Sequence, residues 1–137
     1  MSVRVRRILE TALDCANLGA TAAYYAALLG IAPLLDTERL VVFDGGEGTL
    51  LLLFQRGNTG PLETAGGLVP GHDGGGPAHL AFAIDADTVA AWEARLAELG
   101  IAIESRVRWE RGGLSLYFRD PENRSVELAT PGLWPSY

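Results

Sequence analysis

The first half of the chain switches from an alternating pattern of apolar positions to a helical one and back to alternation. Residues 8–15 alternate between two faces, which predicts a strand. Asn17 is a suitable helix N-cap, and Gly30 is placed to end that helix. Between them, apolar residues recur at helical spacing: Leu18, Ala22, Tyr25 and Leu29. Strands are then predicted around residues 34–35, 40–43 and 50–55, so the order is β-α-β-β-β.

The second half repeats this order. A strand is predicted over residues 79–84, with Leu80, Phe82 and Ile84 on one face and His79 on the other. A helix follows, capped by Asp85 or Asp87 and ended by Gly100. Its apolar stripe is formed by Val89, Trp92, Leu96 and Leu99. Three more strands are predicted near residues 103–107, 115–119 and 125–129.

A tight turn is predicted between the last two strands. Asp120 and Pro121 suit its first two positions, and Asn123 can adopt the positive φ that closes it. The two halves also share a short segment, because Leu29-Gly30-Ile31-Ala32 recurs as Leu99-Gly100-Ile101-Ala102. This recurrence indicates an internal duplication. In that alignment Glu10 and His79 hold corresponding positions on the first strand of each half.

Residues 58–77 separate the two halves. They are rich in Gly and Pro and have no periodicity, which is typical of a linker or a functional loop. We therefore predict a single α+β domain over residues 1–137, made of βαβββ modules at 5–57 and 78–131. The connecting segment contains His72, a candidate loop acid or base.

Composition narrows the class of protein. The 137 residues carry a formal net charge of −6, which argues against an electrostatic nucleic-acid binder. Cys15 is the only cysteine, so an internal disulfide and a cysteine zinc cluster are excluded. No apolar run is long enough to span a bilayer, and the basic start does not lead into a signal-peptide core. A cytoplasmic protein without a membrane partner is the expectation.

Candidate chemistry lies on the strand faces that carry small residues. Each of three predicted strands has one ligand-type group there: Glu10 beside Ala12, His79 beside Ala81 and Ala83, and Glu127 between Ser125 and Ala129. If these faces converge, two carboxylates and one imidazole suit Mn²⁺, Fe²⁺, Mg²⁺, Ni²⁺ or Zn²⁺. The alternative is a sheet surface in water, on which Glu10 and Glu127 are solvated.

The chain resembles the vicinal oxygen chelate superfamily, which includes glyoxalase I, extradiol dioxygenases, and fosfomycin and bleomycin resistance proteins. The resemblance covers nearly the whole chain. Its most specific part is the aromatic-Asp-Pro turn of Tyr117–Pro121 followed by Val126-Glu127-Leu128, and further parts are Ile8–Thr11, Tyr24-Tyr25, Leu28–Gly30 and Gly76–Phe82. The resemblance implies paired modules, a cupped mixed sheet around a cavity and a homodimer. It also implies metal ligands at Glu10, His79 and Glu127.

The sequence departs from individual members of this superfamily. The first-strand ligand is usually His, and here it is Glu10. Glyoxalase I has a further carboxylate on the last strand of its first module, whereas Leu50–Phe54 has none. Extradiol dioxygenases use two His and one Glu. Ser115 and Tyr117 match phosphonate-contacting positions of fosfomycin resistance proteins, but Arg106–Arg111 does not reproduce their cation-binding pattern.

Two functions are therefore expected. The first is a metal-dependent lyase or dioxygenase whose small-molecule substrate chelates the ion through two oxygens. Glu127, or alternatively Glu10, would shuttle a proton, Tyr117 would orient a substrate oxygen, and Ser115, Arg108 and Arg111 would bind substrate. The second is a metal-free ligand-sequestering protein of the bleomycin-resistance type, with its cavity at a dimer interface.

Overall fold

The computed structural model describes residues 3–137, and the chain divides into two compact units, Met1–Gly75 (unit 1) and Gly76–Tyr137 (unit 2). Each unit contains one α-helix and one four-stranded mixed sheet. The α+β class and the repeated βαβββ order predicted from the sequence are confirmed. No helix in the described part of the chain is both long and apolar enough to cross a membrane.

Unit 1 begins with the elements β1, Glu10–Cys15; α1, Leu18–Leu29; β2, Leu35–Asp36; β3, Leu40–Gly46; and β4, Thr49–Gln55. The strand order in its sheet is β1-β4-β3-β2, with β1 parallel to β4 and the other pairs antiparallel. A short hairpin follows, formed by β5 (Leu62–Thr64) and β6 (Gly67–Val69). The sequence pattern predicted no element there. Every residue of the two hairpin strands is exposed, so the strands have no buried face that would require apolar and polar residues to alternate.

Unit 2 contains β7, His79–Ala83; α2, Val89–Glu98; β8, Ser105–Arg108; β9, Leu114–Arg119; and β10, Ser125–Ala129. Its strand order, β7-β10-β9-β8, repeats that of unit 1, again with one parallel pair, β7 and β10. The registers also match. Glu10 pairs with Leu50 and Ala12 with Leu52, while His79 pairs with Ser125 and Ala81 with Glu127. Glu10 therefore corresponds to His79, and Leu52 corresponds to Glu127.

Helix α1 begins and ends where the sequence predicts. The Asn17 side chain accepts a hydrogen bond from the Ala20 N–H at 3.0 Å, and Gly30 ends the helix with φ of 68°. The buried stripe is shifted from the predicted one, because Thr21 and Leu28 are buried in place of Ala22 and Leu29.

Two other expectations, about the start of strand β1 and the start of helix α2, are wrong. Leu9 precedes β1 and is 53% exposed, so it does not share the buried face of Leu13. Helix α2 follows a 3₁₀ turn over Ala86–Thr88, and neither Asp85 nor Thr88 caps a helix end through its side chain. Thr88 instead donates to the Asp85 carbonyl at 2.6 Å, which tightens the turn ahead of the helix.

The core of unit 2 lies on one face of its sheet. The apolar side chains of that face are fully buried: Leu116, Phe118, Val126 and Leu128. Arg106 pairs with Leu116 and therefore shares this face, and it forms an ion pair at 3.4 Å with Glu93 of α2. Helix α2 is thus on the core side. The opposite face of β7, β9 and β10 is left to carry polar residues.

Candidate functional site in unit 2

Strands β7, β9 and β10 place the candidate residues of unit 2 on one face. In β10, Glu127 pairs with Ala81 on one side and with Tyr117 on the other. Ser115 pairs with Ala129, and His79 pairs with Ser125. Because cross-strand partners share a face, the sheet brings His79, Ser115, Tyr117 and Glu127 together.

Glu127 is buried, with 5% of its surface exposed. The Ser115 hydroxyl donates to its Oε2 atom, and its Oε1 atom lies 3.2 Å from Nε2 of His79. A solvated strand carboxylate is therefore excluded at this position. Burying a carboxylate costs several kcal/mol unless it is paired and hydrogen-bonded. The Ser115 hydroxyl supplies the hydrogen bond, and His79 pairs with the carboxylate only as an imidazolium.

The hydrogen bond of the His79 ring fixes its tautomer. Nδ1 lies 2.8 Å from the Ser125 carbonyl oxygen, which can only accept. Nδ1 therefore carries the hydrogen, and Nε2 is the atom directed at Glu127. Metal-binding histidines are commonly held this way, with the other ring N–H donated to a carbonyl. The ring also stacks on Tyr117, with centroids 6.3 Å apart and planes 28° apart.

Tyr117 is a hydrogen-bond donor over the whole neutral range. Burial raises the pKa of its phenol, and the negative charge of Glu127 raises the pKa further. The protonated hydroxyl beside His79 and Glu127 can therefore donate to an oxygen of a bound molecule.

A cavity of about 450 Å³ opens over these groups, within unit 2. Its walls are largely aromatic and its floor consists of small residues; the lining comprises His79, Ala81, Phe82, Ala83, Trp109, Tyr117, Glu127, Ala129, Leu133, Trp134 and Tyr137. Among these lining residues His79 is the only basic side chain. The cavity thus offers a flat apolar surface with a polar pair, His79 and Glu127, at one side.

The segment after β10 is tied back onto the sheet. The Tyr137 hydroxyl donates to the Ala129 carbonyl at 2.8 Å and lies 3.3 Å from the Ile84 carbonyl. The Gly113 N–H bonds the Gly132 carbonyl at 3.3 Å. A Cβ on Gly113 would lie 2.7 Å from the Gly132 carbonyl carbon, so this crossing needs a glycine. These contacts hold Trp134 and Tyr137 as part of the cavity wall.

The remaining predicted residues lie elsewhere. Arg108 pairs with Leu114, on the face of β8 and β9 opposite to Ser115, and Arg111 is exposed in the turn between those strands. Glu10 begins β1 in unit 1 and is exposed. His72, also in unit 1, has Nδ1 3.6 Å from the buried Asp14 carboxylate and an edge-on contact with Phe54.

The donor set of unit 2 fits part of a metal site. An imidazole nitrogen and a buried carboxylate oxygen, 3.2 Å apart, are directed at each other. Both atom types bind divalent transition metals. Within residues 3–137, no group of three or more His, Cys, Asp or Glu side chains is arranged to hold an ion. His79 and Glu127 are thus two donor groups that this face of unit 2 brings together.

Fold and site together define a protein of the glyoxalase class. The family model described as a glyoxalase-like domain matches residues 10–129, so the chain belongs to that family and to the vicinal oxygen chelate superfamily. No curated protein sequence matches the chain.

Solved structures agree with this assignment. Lactoylglutathione lyase from Agrobacterium tumefaciens is 32% identical, over 96% of this chain and 98% of that one, with a TM-score of 0.84. A glyoxalase/bleomycin resistance protein from Catenulispora acidiphila is 21% identical over 90% and 96%, with a TM-score of 0.66. The oxidase ChaP-H2 is 19% identical over 97% of both chains, with a TM-score of 0.69. The last two are similar in fold alone.

Proposed function

We propose that this chain is a divalent-metal-dependent enzyme whose small-molecule substrate presents two neighbouring oxygens, and that His79 and Glu127 are metal ligands. The observation that supports this most is the His79–Glu127 pair itself. One carboxylate oxygen is buried beside Nε2, and the other ring nitrogen is committed to the Ser125 carbonyl. A strand that only completed a core would not bury a carboxylate on this face.

A bound ion would act as a Lewis acid that stabilises an oxyanion on the substrate. The chain's own groups would bind and orient that substrate. The Tyr117 phenol, kept protonated by its raised pKa, would donate to a substrate oxygen. The aromatic wall of Trp109, Trp134 and Tyr137 would hold an apolar part and exclude water. A carboxylate not held by the ion, Glu127 or alternatively Glu10, is the proposed proton acceptor.

The reaction type and the substrate can be proposed separately. The similarity to a lyase at 32% identity supports lyase-type chemistry. The position in unit 1 that corresponds to Glu127 is Leu52, so the additional carboxylate of glyoxalase I is absent there. Because the cavity of unit 2 has no arginine or lysine in its lining, we propose that the part of the substrate held there is uncharged. A glutathione-like anion would find no guanidinium or ammonium group in that lining.

The test is the metal content of purified, tag-free protein after reconstitution with Mn²⁺, Fe²⁺, Ni²⁺ or Zn²⁺. We expect stoichiometric metal in the wild type and its loss in His79→Ala and Glu127→Gln. The matched control is Glu104→Gln, which removes an exposed carboxylate of the same unit, paired with Arg119 at 3.0 Å. Metal retained in both site variants would contradict the proposal. If both site variants lose the metal and Glu104→Gln keeps it, a screen of uncharged dicarbonyl–thiol adducts and catechols is justified.

A second candidate function is ligand sequestration without a metal. The observation that favours it is an aromatic wall next to a carboxylate, which suits a flat cation through cation–π contacts. The net charge of −6 acts in the same direction. If no metal binds after reconstitution, a flat aromatic cation should raise the Tm of the wild type more than that of Glu127→Gln.

A further inference from the structure

Trp109 begins a chain of hydrogen bonds that ends at Glu127. Its Nε1 lies 2.9 Å from the Ser115 hydroxyl oxygen. An indole N–H can donate but cannot accept. The Ser115 oxygen must therefore be the acceptor in this bond.

The direction of the next bond follows from the number of protons available. A serine hydroxyl has one proton, and Ser115 donates it to Glu127 Oε2. Ser115 is completely buried, so solvent does not supply an alternative partner. Glu127 Oε2 is therefore the acceptor of the Ser115 proton, and Oε1 is the oxygen that lies beside His79 Nε2.

The backbone around Trp109 holds the indole in place. The Trp109 N–H donates to the Gly113 carbonyl at 2.9 Å, and the Gly112 N–H donates to the Trp109 carbonyl at 2.9 Å. Gly112 has a φ of 95°, a conformation that side chains other than glycine rarely adopt. The turn thus aims the indole N–H inward, while the ring lines the cavity.

We infer that Trp109 and Ser115 are positioning residues that orient Glu127 by a one-way relay, Trp109 to Ser115 to Glu127 Oε2. The inference rests on the proposed function only where it concerns metal affinity. The same indole is a wall of the cavity and the first donor of the relay. A molecule seated against Trp109 therefore acts on the group that holds the carboxylate.

The relay is tested first without metal, by hydrogen exchange of the tryptophan indole N–H groups in ¹⁵N-labelled protein. We expect the Trp109 N–H to exchange more slowly than that of Trp134, which is 67% exposed. Trp109→Phe assigns the signal. Ser115→Ala should speed exchange at Trp109 by about tenfold or more while leaving Trp92, on α2, unchanged. Equal exchange at Trp109 in wild type and Ser115→Ala would overturn the relay.

The second arm measures Zn²⁺ affinity by competition with a chromophoric chelator. Loss of a group that orients a metal ligand typically weakens binding by roughly 10–100-fold, and we expect this of Ser115→Ala. Trp109→Phe keeps an aromatic ring at this position and removes the N–H donor, so it should weaken binding in the same direction by less. Trp92→Phe, on α2 and outside the cavity lining, is the matched control and should bind as the wild type does.

The outcomes separate the relay from the proposed function. A Trp109→Phe affinity equal to that of the wild type would overturn the positioning role. If the wild type binds no Zn²⁺, the proposed function fails, and the indole exchange of Ser115→Ala decides the relay by itself. The absorption spectrum of the Co²⁺-loaded protein adds a signature of ligand geometry. It should change in Ser115→Ala and Trp109→Phe and stay constant in Trp92→Phe.

Discussion

Glu127 is the residue at which the cost of burial and the gain from hydrogen bonds are most directly opposed. An isolated carboxylate in this position would lose several kcal/mol of hydration. Hydrogen bonds to charged groups contribute about 1.5–3 kcal/mol each, and the Ser115 hydroxyl donates one to Glu127 Oε2. Glu127→Gln is therefore a better probe than Glu127→Ala, which would leave the buried Ser115 hydroxyl without its acceptor.

Tyr137 allows a prediction for alkaline pH. Burial raises the pKa of its phenol, and the negative charge of Asp85 adds to the rise. A folded-state pKa above that of the unfolded chain means that the stabilisation is complete below pH about 10 and is lost as pH rises through the folded-state value. Tyr137→Phe should cost about 1 kcal/mol at pH 7, the contribution of one hydrogen bond.

The measurement is urea unfolding of the wild type and Tyr137→Phe at pH 7, 9 and 11. The difference in free energy of unfolding between the two proteins should be the same at pH 7 and 9 and should shrink at pH 11. A difference that grows with pH would mean that the bonds to the Ala129 and Ile84 carbonyls are not what holds this segment.

Among the elements, the β9–β10 turn shows how the backbone conformation of one residue closes a turn between two strands. Asn123 has a φ of 63°, as predicted, and its N–H bonds the Asp120 carbonyl at 2.9 Å. The Asp120 carboxylate also accepts the N–H groups of Glu122 and Arg124, at 2.8 and 2.9 Å. The turn thereby sets the register in which Glu127 pairs with Tyr117.

We predict that Asn123→Ala is less stable than Asn123→Gly by about 1 kcal/mol, because a Cβ in the left-handed region is strained and glycine has none. Urea unfolding at pH 7 measures the difference. The two variants both lack the Asn side chain, so each serves as the control for the other. Equal stabilities would show that the turn relaxes to a negative φ in the alanine variant.

Local patterns predicted the elements well where one face is buried. The alternation of half-buried and exposed positions along β7 and the Asn17 cap of α1 are both visible in the sequence. The β5–β6 hairpin was missed because its strands have no buried face. Trp109 was also missed, since its bond to Ser115 depends on the turn at Gly112 and Gly113 rather than on any alternation.

At the scale of the whole molecule, two units share one topology and differ in chemistry. Matching registers give unit 1 Glu10 and Leu52 where unit 2 has His79 and Glu127. The sequence could identify these ligand-type groups because each interrupts a small-residue face. It could not show that Glu127 is buried and accepts a hydrogen bond from Ser115, because that bond joins two residues that are 12 positions apart and lie on different strands.

The correspondence of Glu10 with His79, together with the family resemblance, leads to the last prediction. We expect Glu10→Gln to weaken Zn²⁺ binding by roughly tenfold or more, because loss of a ligand should cost at least as much as loss of a group that orients one. Glu47→Gln, in the exposed turn before β4, is the control and should leave binding unchanged. Competition with a chromophoric chelator measures both. Wild-type affinity in Glu10→Gln would remove Glu10 from the ligand set and leave His79 and Glu127 as the only protein ligands proposed.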